Sequence, residues 1–192
     1  MGRLAVLFAL FLTSAATAAD PELLAVCAAC HGEDGNKVSN QYAPVIAAIP
    51  AAHFEEAVYA YQDGARKCRD EPAMCATVSE LTRDQVAALA DHYSAKRRNA
   101  SNDMFDPELA TYGEVLHREH CARCHVLPED EDADEALGIP LNGQRSAYLR
   151  YATYAYLRGG RATLAPAMAA KLVELTENDI EALIHYYASY RP

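Results

Sequence analysis

The pattern Cys-x-x-Cys-His occurs twice in the sequence, at Cys27, Cys30 and His31 and again at Cys121, Cys124 and His125. Two thiols three positions apart can reach the two vinyl groups of one porphyrin, and the adjacent histidine is then held under the ring to bind iron. A single Cys-x-x-Cys is also typical of a redox dithiol or of half a zinc site. Because both copies carry the histidine, the pattern predicts two covalently bound haem c groups.

The methionines downstream of the motifs repeat at the same distance. Met74 lies 43 residues after His31, and Met168 lies 43 residues after His125. Histidine and methionine together fill both axial positions of a haem iron and leave no open site for a substrate. Core packing is the ordinary role of a methionine, but the repeated spacing favours ligation. We therefore predict His31 and Met74 as the ligands of the first iron, and His125 and Met168 as those of the second.

Other residues offer alternative ligands with weaker support. Met104 lies in a polar stretch between the repeats, where packing is the simpler interpretation. The histidines outside the motifs have no matched partner in the other half of the chain, and we interpret them as surface residues or neighbours of the haem propionates: His53, His92, His117, His120 and His185. An iron with an open sixth position would instead indicate a haem enzyme.

Two cysteines, Cys68 and Cys75, remain outside the motifs, and Cys75 directly follows Met74. In an oxidising compartment we expect them to pair. Closing a loop of about eight residues stabilises a protein by roughly 2.5 kcal/mol in the chain-entropy model, and here it would also stiffen the segment that presents Met74. Two free thiols or a redox-active disulfide are the alternatives. The second half has no such pair, so the first haem is the candidate for unusual ligation.

The first residues are typical of a cleaved secretory signal. Arg3 precedes an apolar run, residues 4–12, and small residues follow up to Ala18. The run is too short to span a bilayer, which takes about twenty residues. We predict that residues 1–19 are removed and that the mature protein is periplasmic, without a membrane span.

The chain is acidic, with a formal net charge of −10 at pH 7. This charge argues against nucleic-acid binding and favours partners with a basic docking face. Six of the seven residues from Glu129 to Glu135 are carboxylic acids, which indicates either a solvated loop or a docking patch. Lys96, Arg97 and Arg98 are interpreted as the exposed end of a helix.

An internal repeat organises the whole chain. An offset of 94 residues superposes the haem motifs, the methionines and the apolar stripes of the last helix in each half. Capping signals, periodicity and loop residues predict helices near residues 21–29, 52–63 and 82–93, and near 108–123, 145–157 and 176–187. We predict an all-α protein of two cytochrome-like domains, each with three short helices around one haem: residues 20–98, a linker at 99–107, and residues 108–192.

The order of motif, Gly-Gln turn, tyrosine-rich helix, methionine and terminal helix resembles the dihaem cytochromes c of the cytochrome c4 type. The resemblance covers essentially all of the mature chain and implies two tandem class I cytochrome domains that transfer electrons without a catalytic site of their own. Three tyrosines spaced by three along one helix would ordinarily pack in the core, but the resemblance implies that their hydroxyls can reach the haem propionates at the domain interface: Tyr148, Tyr151 and Tyr154.

In the second half the resemblance is closer to the cytochrome subunit of flavocytochrome c sulfide dehydrogenase. The strings that carry it are LHREHCARCHV, YLRYA and MAAKL, at residues 116–126, 148–152 and 168–172. This resemblance implies an FAD-containing sulfide dehydrogenase subunit as the electron donor. The alternatives are a free cytochrome c4-like shuttle that supplies a terminal oxidase, or a dihaem enzyme such as a peroxidase or a thiosulfate-oxidising protein.

Overall fold

The computed structural model describes residues 18–192 except residues 38, 41, 70–71, 134 and 163–164, so residues 1–17 of the predicted signal lie outside the described part. The first half contains α1 (Pro21–His31), α2 (Ala51–Gln62), α3 (Pro72–Val78) and α4 (Arg83–Ser94). The second contains α5 (Pro107–His120), α6 (Ser146–Leu157), α7 (Pro166–Leu172) and α8 (Glu177–Ala188). The all-α prediction is confirmed, because the described residues contain no strand beyond one isolated bridge, Arg66 with Arg161.

Each half has four helices in its described part, so the prediction of three per half was wrong. The helices that the sequence analysis missed are α3 and α7, which carry Met74 and Met168. Both are only seven residues long, which is too short for an apolar period to emerge. Both also begin with a proline, which usually indicates a loop but fits the first turn of a helix, where its missing N–H would have had no partner.

The last helix of each half begins where the sequence predicts. Thr82 caps α4 by accepting a hydrogen bond from the backbone N–H of Gln85, and Thr176 caps α8 in the same way from Asp179. The apolar stripe of each helix is buried in one of two separate clusters. The first cluster joins α4 to residues of α2 and α3, and the second joins α8 to residues of α5 and α6.

The two halves are held together by backbone and side-chain hydrogen bonds. The backbone N–H of Lys67 donates to Gly160 at 2.9 Å, and that of Ala162 donates to Ala65 at 3.0 Å, so the segments leading to the two methionine helices lie against each other. Elsewhere Gln144 pairs twice with the backbone of Val45. In the described part of the chain, no helix is both long and apolar enough to cross a membrane.

Candidate haem-binding sites

The two Cys-x-x-Cys-His motifs have different local structures. The first lies inside the last turns of α1. Asp20 caps this helix, because its carboxylate accepts a hydrogen bond from the backbone N–H of Glu22. The second begins at Cys121, directly after the end of α5, and continues in turns. All four motif cysteines are half-buried and outside any disulfide, which leaves their thiols available for thioether formation: Cys27, Cys30, Cys121 and Cys124.

The two motif histidines share one arrangement. Nδ1 of His31 lies 2.8 Å from the carbonyl oxygen of Pro44, and Nδ1 of His125 lies 2.8 Å from that of Ile139. An N–H donated to a carbonyl fixes the tautomer in which Nε2 carries the lone pair, which is the usual arrangement of a histidine that binds a metal. Burial also lowers the pKa of both imidazoles, although these carbonyl bonds oppose the shift, and so favours the neutral form that binds iron.

The ring of His125 is held against the loop that supplies its carbonyl partner. A Cβ added at Gly138 would lie only 2.6 Å from Cε1 of His125, so only a glycine lets the chain pass this close. In the first half, the chain turns at Gly35 with a positive φ of 73°, and the backbone N–H groups of Ile46 and Ala47 donate to its carbonyl. The loops that carry Pro44 and Ile139, which we call the proximal loops, therefore orient both histidines.

The two methionines lie on the two short helices. Met74 of α3 is half-buried and packs against the apolar cluster of the first half, and Met168 of α7 is also half-buried. Met104, in contrast, is 94% exposed. The assignment of Met74 and Met168 as ligands stays a prediction, now with a defined local structure.

The disulfide candidate lies beside the first methionine. The structure joins Cys68 to Cys75 with their Cα atoms 6.1 Å apart, within the usual range for a disulfide. Cys75 belongs to α3, and Cys68 directly follows Lys67, which pairs with the second half. The bond would therefore tie the Met74 helix to the interface between the halves.

The last helix of each half places a tyrosine near the first cysteine of the motif: Tyr93 lies near Cys27, and Tyr187 lies near Cys121. Tyr93 is fully buried and its hydroxyl has no hydrogen-bond partner in the described structure. Tyr187 is buried too, but its hydroxyl lies 3.1 Å from Nδ1 of His117. His117 was expected at the surface or beside a haem propionate, yet it is 7% exposed and packs against Tyr187. His117 is followed by Arg118, Glu119 and His120, which are all exposed, so the residues after it gave no indication of its burial.

A buried arginine at the interface fits an anionic group. Arg161 is 5% exposed, and its Nη1 donates to the hydroxyl of Tyr148 at 3.2 Å. Its guanidinium also lies 5.2 Å from the ring centroid of Tyr151, while its Nη2 is buried without a partner among the described residues. A buried cation with an unpaired donor needs an acceptor. A haem propionate would supply this acceptor, which agrees with the two haem groups that the Cys-x-x-Cys-His motifs predict.

Comparison with known proteins identifies the family. Residues 108–186 match the family described as cytochrome c oxidase, cbb3-type, subunit III. Cytochrome c-554(548) of Halomonas halodenitrificans is 32% identical over 79 residues, which cover 41% of this chain and 94% of that protein. Cytochrome c4 of Pseudomonas aeruginosa is 27% identical over 176 residues, covering 84% of this chain and 82% of that protein.

A solved structure extends the similarity to both halves together. Reduced recombinant cytochrome c4 from Pseudomonas stutzeri superposes with a TM-score of 0.72 and 25% identity, covering 90% of this chain and 99% of that one. The chain belongs to the dihaem cytochromes c of the cytochrome c4 type. It has two tandem class I cytochrome domains and two covalently bound haem c groups, and its function is electron transfer. Redox proteins are its expected partners.

A second solved structure has a wider context. Thiosulfate dehydrogenase from Marichromatium purpuratum superposes with a TM-score of 0.69 and 26% identity. The match covers 86% of this chain but only 36% of that one, so most of the dehydrogenase has no counterpart here. The dihaem unit described here thus also resembles part of a larger redox enzyme.

Proposed function

We propose that His31 and Met74 bind the first haem iron, that His125 and Met168 bind the second, and that the motif cysteines form the thioether bonds. The observation that carries this assignment is the matched bond from each histidine Nδ1 to a proximal-loop carbonyl at 2.8 Å. Each haem would accept and release one electron. With both axial positions filled by side chains, the protein would carry electrons and catalyse no reaction of its own.

Removing each methionine tests the ligand assignment. A ferric haem with a methionine ligand shows an iron–thioether charge-transfer absorption, so Met74→Ala and Met168→Ala should each abolish about half of this absorbance. Met104→Ala is the matched control, because that side chain is 94% exposed and should leave the spectrum unchanged. An intact band in Met168→Ala would refute its ligand role. A high-spin fraction of the wild-type haem that binds peroxide would favour a haem enzyme instead.

We also infer that the protein acts in the periplasm after loss of residues 1–19, with one haem in each of two domains, residues 20–98 and 108–192. The short apolar run after Arg3 supports the signal. The separate apolar clusters of the two halves support the division into domains. Amino-terminal sequencing of the secreted protein should find a mature chain that begins at Asp20 or one residue earlier.

For the electron donor, we propose an FAD-containing sulfide dehydrogenase subunit. The support is the resemblance of residues 116–126, 148–152 and 168–172 to the cytochrome subunit of such enzymes. The chain has no Gly-x-Gly-x-x-Gly fingerprint, so a separate flavoprotein would oxidise the two-electron sulfur donor. Two one-electron haems would then take the two electrons of one reduced flavin.

A free shuttle that supplies a terminal oxidase is the second candidate. The observation in its favour is the nearly complete mutual coverage with a cytochrome c4, 90% of this chain and 99% of that one. The similarity to part of a thiosulfate dehydrogenase would fit a third role, as the dihaem acceptor of a sulfur-oxidising haem enzyme.

Purification from the native source distinguishes these donors. A complex with stoichiometric FAD and rapid haem reduction by sulfide would support the sulfide dehydrogenase. Isolation as a flavin-free protein that is reduced only by quinol-oxidising complexes would support the shuttle. Reduction by thiosulfate in a flavin-free complex would support the third role. The two latter outcomes would each overturn the flavoprotein proposal.

A further inference from the structure

Arg98 is a buried cation at the junction of the two halves. It was expected at an exposed helix end together with Lys96 and Arg97, but it is only 2% exposed. Its preceding neighbour Arg97 is exposed, as expected. Three adjacent cations give no local pattern that indicates which one turns inward, so the sequence alone did not reveal this burial.

The hydrogen bonds of Arg98 reach both halves. Nε and Nη2 donate to the carbonyl oxygen of Ala47 at 3.1 and 2.8 Å. Nη1 donates to the carbonyl oxygens of Pro140 at 3.1 Å and Asn142 at 3.4 Å. One guanidinium therefore binds a loop of the first half and a loop of the second half at the same time.

These two loops are the ones that orient the proposed proximal histidines. Ala47 lies three residues after Pro44, whose carbonyl accepts the hydrogen bond of His31. Pro140 directly follows Ile139, whose carbonyl accepts that of His125. Arg98 thus binds each loop within three residues of the carbonyl that accepts the hydrogen bond of the histidine. A shift of this side chain would be transmitted to both rings through the backbone.

The charge of Arg98 is not neutralised by an ion pair in the described structure. Its acceptors are neutral carbonyls. Burial lowers the pKa of Arg98 to about 10, while the hydroxyls of Tyr190 and Tyr148 oppose the shift, so the side chain stays protonated at neutral pH. A buried charge without a counter-ion acts over a long range, because little water screens it.

We propose that Arg98 is a positioning residue shared by the two haem sites, which locks their proximal loops together and raises the reduction potential of both haems with one positive charge. This inference rests on the histidine ligands proposed above. The ferric state of an iron carries one more positive charge than the ferrous state. A nearby cation therefore disfavours oxidation of either haem.

The test compares the charge of Arg98 with its hydrogen bonds. Arg98→Gln removes the charge and most of the donors, and Arg97→Gln removes an equal but exposed charge one residue away. Gln144→Ala removes two neutral hydrogen bonds between the same loops, those with Val45 at 2.7 and 2.9 Å. Spectroelectrochemical titration of each variant gives the reduction equilibrium of each haem against a common mediator.

We expect Arg98→Gln to lower the reduction equilibrium constant of both haems by about three- to tenfold, since unit charges about 12 Å apart in a medium of dielectric about 20 shift an equilibrium about tenfold. Arg97→Gln and Gln144→Ala should each shift it by less than about twofold, because an exposed charge is screened and a neutral group carries none. A shift of one haem alone, or equal shifts in Arg98→Gln and Gln144→Ala, would overturn the shared-charge role.

A second variant covers the case in which Arg98→Gln does not fold. Asn142 is 2% exposed and its Oδ1 has no partner among the described residues. Asn142→Asp would place a negative charge in the loop that Arg98 binds, and both equilibrium constants should fall in the same direction. Unchanged constants in this variant would refute the inference. Each variant must keep two haems and both iron–thioether charge-transfer bands for its titration to count. If the wild type itself lacks one of these bands, the proposed methionine ligands are contradicted instead.

Discussion

The two halves cover their last helices in different ways. In the second half, α5 crosses α8 so closely that a Cβ at Gly113 would collide with the carbonyl of Ala182, which is fully buried. In the first half, Ala88 occupies the position equivalent to Ala182 and is only half-buried. The shorter α1 buries His31 alone among its residues. One haem-binding scaffold is therefore closed by helix packing in the second half and left more open in the first.

The first half has a different reinforcement in the same scaffold. The predicted Cys68–Cys75 disulfide would tie its methionine helix to the preceding segment, which meets the second half where Lys67 donates to Gly160. The second half has no cysteines outside its motif. A predicted covalent tie beside the methionine helix of the first half would thus correspond to a tight helix crossing in the second. This comparison teaches that repeated ligands do not require repeated packing.

The largest effect is expected at the helix crossing. Gly113→Ala would force α5 away from α8, and overpacking at a rigid backbone contact costs about 3 kcal/mol of unfolding free energy. The loss should be confined to the second half, so the Met168 charge-transfer band should disappear at lower guanidinium concentration than the Met74 band. Titrations in Met74→Ala and Met168→Ala backgrounds separate the two bands.

The matched control for this crossing is Glu114→Ala. Glu114 is exposed on the same helix, and its replacement should leave both transitions within about 0.5 kcal/mol of the wild type. Equal loss from Gly113→Ala and Glu114→Ala would contradict the close crossing. Equal loss of both bands in Gly113→Ala would contradict the separate reinforcement of the halves.

The sequence predicted the repeated features but not their supports. The motifs, the methionine spacing and the caps at Thr82 and Thr176 follow from side chains whose type determines their role. The carbonyls of Pro44 and Ile139 orient the histidines, yet every residue has a carbonyl, so no residue type indicates this role. The burial of Arg98 was likewise invisible, because its partners are backbone atoms far apart in the chain.

The next effect in size concerns the disulfide. Replacing both Cys68 and Cys75 by serine should lower the unfolding free energy by roughly 2.5 kcal/mol and loosen Met74, because the loop between them is no longer closed. The Met74 band should weaken while the Met168 band stays unchanged. Mass mapping of the unreduced wild type gives the direct check. Recovery of both cysteines alkylated without prior reduction would exclude the bond.

The smallest effect concerns His117, which should make the stability of the second half depend on pH. Burial, with a smaller effect of nearby His125, lowers the pKa of His117 to about 4, against about 6.5 in an unfolded chain. Between these values the unfolded state binds a proton that the native state does not. The unfolding free energy should therefore fall as the pH falls from about 6.5 to about 4.

His117→Leu tests this contribution, because Leu23 occupies the equivalent position of the first half. We expect His117 to account for roughly 1–2 kcal/mol of the acid destabilisation, less than the full pKa shift because solvent screens part of the effect. The variant should therefore have a flatter dependence of unfolding free energy on pH. His120→Leu, at an exposed site on the same helix, should keep the wild-type slope. Parallel slopes for wild type and His117→Leu would show that the pair with Tyr187 holds the helices together without making the second half pH-dependent.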